Sequence, residues 1–275
     1  MKRYPTTLII AGSDSGGGAG IQADIKTCAS LGVFATTAIT AITAQNTQGV
    51  RCIEAVDATI VREQIEAVLD DFTVDTIKIG MLCNASIANI VSDALEHTSI
   101  PIILDPVMIS TSGHKLLSDD AIDVITNRLI PMAEVVTPNL AEACVLSKTD
   151  IKESLQIVDA AHTILSLGCN AVLMKGGHLQ HIEASDTLVT RQGIDTFTRP
   201  FIATRNTHGT GCTLSTAIAS FRARGFALRS AVEYAKEYVH RAIVQGADVC
   251  AGKGHGALNH AHNPQPLTPI EYQPL

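Results

Sequence analysis

Short runs of aliphatic and β-branched residues alternate along this chain with longer stretches whose apolar positions recur at helical spacing. Leu8–Ala11, Thr36–Ile42, Thr76–Ile79, Ile102–Leu104, Val135–Thr137 and Ala171–Met174 read as strands. Most are continuous apolar runs, the pattern of strands covered on both faces in a parallel sheet. Helices are expected between them, beginning with Ile21–Leu31 after a glycine cluster. Val61–Asp71 carries Val61, Ile65, Val68 and Leu69 on one face, and Ser86 can cap a helix running to Glu96. Asp119–Leu129, Asn139–Leu146 and Ser154–Leu167 follow, the last closed by Gly168. Two longer helices are predicted over Gly211–Arg224 and Arg229–Val249. Ser185–Ile202 differs: Asp186–Thr190 and Asp195–Thr198 alternate around Arg191-Gln192-Gly193, as in an antiparallel hairpin at a sheet edge. With no linker or repeat, the pattern predicts one three-layer α/β/α domain over residues 1–262. Residues 263–275, with Pro264, Pro266, Pro269 and Pro274, should form an extended tail outside the core.

Composition narrows the functional classes. A length of 275 residues, with 46% apolar and 17% charged positions, suits a globular chain that needs no disulfide or structural metal. The net charge of −7 argues against a general binder of nucleic-acid backbones. Aromatic content of 4%, with no Trp, argues against a stacking platform for single strands. Seven cysteines without a C-x-x-C pair read as reduced thiols. Leu8-Ile9-Ile10-Ala11 is too short for a signal-peptide core or a membrane span. A cytoplasmic protein with no nucleic-acid or membrane partner is therefore expected.

Three groups of residues could carry chemistry. Gly12-Ser-Asp-Ser-Gly-Gly-Gly-Ala-Gly20 lies between a strand and a helix, where glycines let the backbone approach a ligand. No lysine completes a P-loop. Gly18-Ala-Gly20-Ile-Gln-Ala23 fits the loose dinucleotide fingerprint, but Ala41-Ile-Thr-Ala-Gln45 ends the next strand without the acidic residue a ribose requires. A turn made only for close packing is the plain alternative. The second group, Asn206-Thr-His-Gly-Thr-Gly-Cys-Thr-Leu-Ser215, opens a helix, and its amides can form an anion hole for a transferring phosphoryl group. The helix dipole there should lower the pKa of Cys212, unless Cys212 is simply a small buried residue. The third group sits at strand ends: Asp105, Asn139 with Glu142, and Lys175. Alone, these read as an N-cap, a first-turn acid and a loop lysine. Together they supply oxygen ligands for Mg²⁺ and a cation for phosphate. His255, His260 and His262 cluster near the C-terminus without a carboxylate triad, which suggests a surface or subunit contact.

The ordered motifs Ala11–Asp24, Thr43-Ala-Gln-Asn-Thr-Gln-Gly-Val50, Lys78-Ile-Gly-Met81, Asp105-Pro-Val-Met108, Thr137-Pro-Asn139, Met174-Lys-Gly-Gly-His178 and Asn206–Ser215 resemble the hydroxymethylpyrimidine/phosphomethylpyrimidine kinases of thiamine biosynthesis. These belong to the ribokinase-like superfamily, and the resemblance runs from about Tyr4 to His262. It implies a ribokinase-like fold with a mostly parallel sheet and a homodimer. It implies that ATP and Mg²⁺ phosphorylate 4-amino-5-hydroxymethyl-2-methylpyrimidine and then its monophosphate. It also implies residue roles. Gly12, Ala19, Asp24, Gln45, Met81 and Val107 would contact the pyrimidine. Gly209, Thr210, Gly211 and Cys212 would form the anion hole. Lys175, Thr207 and Lys236 would join Gly209 and Gly211 at the ATP phosphates, and Asp105, Asn139 and Glu142 would serve the metal. Cys212 stands where many ribokinase-like enzymes carry an aspartate base, so it is either a thiolate base or a pocket residue. Pyridoxal kinase is the near alternative reading; a non-catalytic vitamin-binding protein and a dinucleotide-dependent oxidoreductase are more distant ones.

Overall fold

A computed structural model describes residues 1–108, 116–176 and 183–271. Gly177 and His178 of the lysine motif lie outside the described residues. The chain runs β1 (Lys2–Arg3), β2 (Thr6–Asp14), α1 (Gly20–Ser30), β3 (Phe34–Asn46), β4 (Gly49–Ala55), α2 (Ala58–Asp71), β5 (Thr76–Ile79), α3 (Ala85–Leu95) and β6 (Ile102–Leu104). It continues through α4 (Asp119–Val124), β7 (Val135–Val136), α5 (Leu140–Ser147), α6 (Ser154–Leu165), β8 (Ala171–Met174), β9 (Glu183–Thr190), β10 (Ile194–Pro200), α7 (Thr210–Ala223), α8 (Leu228–Gly246) and β11 (Ile270–Glu271). The main sheet has the order β10-β9-β8-β7-β6-β5-β2-β3-β4. Its six central strands are parallel, while β4 at one edge and the β9–β10 pair at the other join antiparallel. The three-layer architecture expected from the alternation is present, and the hairpin over Ser185–Ile202 is β9–β10.

Alternation along each strand divides the core between the two faces. Leu8, Ile10, Ile102, Leu104, Val172 and Met174 pack with side chains of α2–α6. Ile103, Ala171 and Leu173 point the other way, against α7 and α8. Ile9 and Ala11 join Ile21 and Cys28 of α1 on that same side. Because both faces are covered, the strands read as unbroken apolar runs.

Three expectations need correction. Asn84, not Ser86, caps α3: its side chain accepts the Ile87 amide at 3.0 Å. The helix expected over Asp119–Leu129 stays α-helical only to Val124, then widens and tightens as far as Met132. Pro131 explains this, since its ring displaces the carbonyl four residues back. β4 was not expected, because Arg51, Cys52 and Glu54 give it a polar edge. The tail is extended but docked: Gln265 donates to the Ser30 carbonyl at 2.8 Å, and β11 pairs antiparallel with β1. No helix among the described residues is long and apolar enough to cross a membrane.

Candidate active site

The candidate residues collect at the carboxyl ends of the parallel strands. β2 lies between β3 and β5, so the chain reverses its direction of travel across the sheet there. Such a switch point leaves a crevice beyond the strand ends, where open α/β sheets bind ligands. The glycine-rich turn after β2 lies in this crevice. Asp14 folds it, accepting the amides of Gly16 (2.7 Å), Gly18 (3.1 Å) and Ala19 (2.9 Å). Gly20 has φ +56°, and a side chain there would overlap the Gly12 carbonyl. Gly209 caps α7 with φ +84°, and a side chain there would overlap the Gly18 carbonyl. The two glycine loops therefore pack backbone to backbone, Gly18 and Gly209 being 191 residues apart in sequence. The N-termini of α1 and α7 meet at this contact, and the Gly20 amide donates to the Cys212 thiol. In such a helix start the first-turn amides lack intrahelical acceptors and remain available to an anion.

Three buried charge clusters underlie the crevice. Lys78 Nζ lies 2.7 Å from Asp24 Oδ2, and Thr216 donates to Asp24 Oδ1 at 2.6 Å. Both charged side chains are fully enclosed. Lys175 Nζ lies 2.7 Å from Asp105 Oδ1 and 3.8 Å from Glu142 Oε2. Thr137 donates to Asp105 at 3.2 Å and Ser215 at 3.3 Å. Lys236 Nζ lies 2.7 Å from Asp186 Oδ2, whose other oxygen accepts the Gly176 amide. Burial works against ionising Asp105, yet Lys175 and Lys78 outweigh it and hold the carboxyl below its ordinary range. Glu142 goes the other way: burial and the nearby Asp105 raise it despite Lys175. Burial opposes the charge on Lys175, but its two carboxylates raise its pKa overall.

The structure brings Gly12, Ala19, Gln45, Met81, Gly209–Cys212, Asp105, Glu142 and Lys175 to one region. Met81 abuts Gly12, where an added Cβ would lie 3.0 Å from the sulfur. Val107 follows Asp105 and is half-buried. The Thr207 carbonyl receives both the amide and the hydroxyl of Thr210. Asn139 is the α5 cap, in a reciprocal box with Glu142 at 2.9 and 2.8 Å.

Several expectations change. Asp24 does not line the crevice: it is sealed beneath it, with its oxygens engaged by Lys78 and Thr216. Lys236 is paired with Asp186, whose other oxygen accepts the Gly176 amide just beyond Lys175. Burial pushes the Cys212 thiol up to about 11, overriding the downward pull expected from the helix terminus. His260 is not at the surface; it is buried against the Thr213 hydroxyl at 3.0 Å. Three residues with roles here were not singled out from sequence. Lys78 stands in a strand whose every residue is buried, a placement that signals an internal counter-ion. Asp14 and His208, inside the glycine motifs, join the two loops at 2.9 Å.

A family model described as phosphomethylpyrimidine kinase matches residues 14–259. The chain belongs to this kinase family. The hydroxymethylpyrimidine/phosphomethylpyrimidine kinase of Escherichia coli (strain K12) is 42% identical over 264 residues, spanning 95% of this chain and 99% of that protein. A phosphomethylpyrimidine kinase crystal structure from Clostridium difficile 630 superposes with a TM-score of 0.77 at 41% identity, covering 86% of this chain and 99% of that one. An ADP complex of Bacillus subtilis pyridoxal kinase superposes at 0.87 with 33% identity, over 94% and 98% of the two chains. Family and fold thus agree with the resemblance read from the motifs, and the chain is a phosphotransferase.

Proposed function

We propose that this enzyme transfers the γ-phosphoryl group of ATP to the hydroxymethyl group of 4-amino-5-hydroxymethyl-2-methylpyrimidine, and then to the resulting monophosphate. The observation that carries this reading is the approach of Lys175 to the α7 terminus: a Cβ on Gly211 would lie only 3.2 Å from Lys175 Nζ. A fixed cation and first-turn amides thus face one volume, as charge on a transferring phosphoryl group requires. Gln45, Gly12, Ala19, Met81 and Val107 form the ring side of the same crevice in this reading.

The chain's residues mainly bind and orient. The amides of Gly211 and Cys212 would hold phosphoryl oxygens, and Lys175 would neutralise them. With burial raising its thiol, Cys212 serves in this reading as a pocket residue and not as a thiolate base. In a loose transition state the acceptor hydroxyl can lose its proton late, without a strong base. For the metal, the donors are hard oxygens of two buried carboxylates, Asp105 and Glu142, and Glu142 is poorly neutralised by Lys175 alone. That fits Mg²⁺, which keeps waters and takes one or two protein carboxylates beside nucleotide phosphates. Among the described residues no three His, Cys, Asp or Glu side chains gather as a closed metal cage. Asp105 and Glu142 would therefore hold the ion; Asn139 would shape the α5 start. Bound there, Mg²⁺ would neutralise phosphate charge.

A cytoplasmic homodimer completes the reading; its support is the family resemblance and cysteines that are unpaired throughout. A second reading, pyridoxal kinase, is favoured by the fold match at 0.87. Incubation with ATP and Mg²⁺ and either the pyrimidine, its monophosphate or pyridoxal, followed by mass spectrometry, separates the two. The expected result is pyrimidine diphosphate, with turnover reduced about 10²–10³-fold in Lys175→Ala. Phosphorylation of pyridoxal alone refutes the first reading.

A further inference from the structure

Gln45 sits at the end of β3 with its carboxamide between two groups: Nε2 is 3.3 Å from His208 Nε2, and Oε1 is 3.2 Å from Thr43 Oγ1. His208 Nε2 is also 2.9 Å from Asp14 Oδ2, which already accepts the Gly18 and Ala19 amides. Burial disfavours the charge on Asp14, but the His208 bond and the amides of Ala19 and Gly16 outweigh it and hold the carboxyl below its usual range. An ionised carboxylate only accepts, so His208 Nε2 must carry the hydrogen. A carboxamide nitrogen facing that N–H would oppose one donor with another. Thr43 meets the matching conflict: its single hydroxyl hydrogen already reaches the Ser13 carbonyl at 2.9 Å. Oxygen and nitrogen of a carboxamide have the same shape, so hydrogen bonding decides between them. Turning the Gln45 amide over removes both conflicts. Oε1 then shares, at 3.3 Å, the His208 Nε2 hydrogen that Asp14 takes at 2.9 Å, and Nε2 donates to Thr43.

We propose that Asp14 and His208 are positioning residues that lock the direction of the Gln45 carboxamide and thereby select which way round a planar aminopyrimidine binds. This deepens the kinase reading and rests on it. With one lone pair of Oε1 turned to the His208 hydrogen it shares with Asp14 and one hydrogen of Nε2 given to Thr43, one acceptor and one donor remain side by side. That pair matches a ring nitrogen beside an amino group, as glutamine matches the adenine edge. Reversing the amide exchanges donor and acceptor. The ring must then turn over, which carries the hydroxymethyl group, adjacent to the amino group, to the other side. The chain segment bearing His208 also bears the anion hole, so one loop sets both the ring's orientation and the phosphoryl site.

The test compares kcat/KM for 4-amino-5-hydroxymethyl-2-methylpyrimidine with that for the same molecule lacking the 4-amino group. Wild type should prefer the amino compound. His208→Leu should cut that preference at least tenfold, His208→Gln should restore much of it, and His208→Leu should change nothing further in a Gln45→Ala background. An equal loss on both substrates, or an additive loss in the double variant, overturns the proposal and leaves His208 as a loop brace. Ring nitrogen shifts in ¹⁵N-histidine-labelled wild-type protein give a readout independent of catalysis. A protonated His208 Nε2 supports the proposal, and hydrogen on Nδ1 alone overturns it. If wild type phosphorylates neither compound, the kinase reading fails while the tautomer still decides the role of His208.

Discussion

Replacing Asp24 with Asn separates a structural role from substrate binding. Asp24 and Lys78 are both fully enclosed, 2.7 Å apart. Removing the carboxylate charge leaves a buried lysine without its main partner, a loss of about 3–5 kcal/mol for broken buried pairs. The lower end is expected, because Asp105 also favours the charge on Lys78. Unfolding entropy of about 2.1 cal/mol/K per residue gives roughly 0.6 kcal/mol/K for a chain of 275 residues. The melting temperature should therefore fall by about 5 °C. Calorimetry measures this, and the double variant Asp24→Leu/Lys78→Met should recover most of the loss. In the same preparation, KM for the pyrimidine should stay within about twofold of wild type. An unchanged melting temperature with a tenfold rise in KM would refute the reasoning and return Asp24 to the pocket.

Other variants follow from single features. Gly209→Ala places a side chain both at φ +84° and into the Gly18 carbonyl, whereas Gly225 has φ +86° with nothing within 4 Å. Gly225→Ala should cost about 1–2 kcal/mol in urea unfolding, and Gly209→Ala distinctly more, with loss of turnover. His260 is held down to about 4 by burial, so it is neutral when folded and must protonate on unfolding as pH falls. Stability should drop between pH 6.5 and 4 by about 3 kcal/mol from this residue, and a pH series of melts on His260→Gln should show a flatter curve. With its thiol up at about 11, Cys212 should resist iodoacetamide at pH 8 while exposed Cys52 and Cys250 react, as read by peptide mass spectrometry.

The parallel strands were legible because both their faces are covered, so no polar alternation hides them. Ile102–Leu104 is an example: Ile102 and Leu104 serve one layer and Ile103 the other. β4 was not legible, since an edge strand shows its polar side chains to solvent and borrows its register from β3. Within the site, glycines betrayed themselves because a backbone-to-backbone contact tolerates nothing larger. Charged residues were harder to read. Asp24 follows the glycine loop by a few positions and suggests a ligand contact; its burial depends on Lys78 and Thr216, 54 and 192 residues away. His260 misled in the same way, because its neighbours in sequence are exposed and its partner Thr213 lies in another helix. What the sequence hides is which charges have already been neutralised by distant parts of the chain.

The joining of the two glycine loops also bears on how the molecule assembles. Asp14 meets His208, Asp24 meets Thr216 and Cys28 meets Ser220 across 192 to 194 residues of chain. Contacts of such high sequence separation close the largest loops and form slowly. α1 with β2 and β3 can gather locally, but the crevice has no second wall until α7 docks. Catalytic competence thus depends on the docking of α7, and a chain with its helices and strands formed but α7 undocked has no active site.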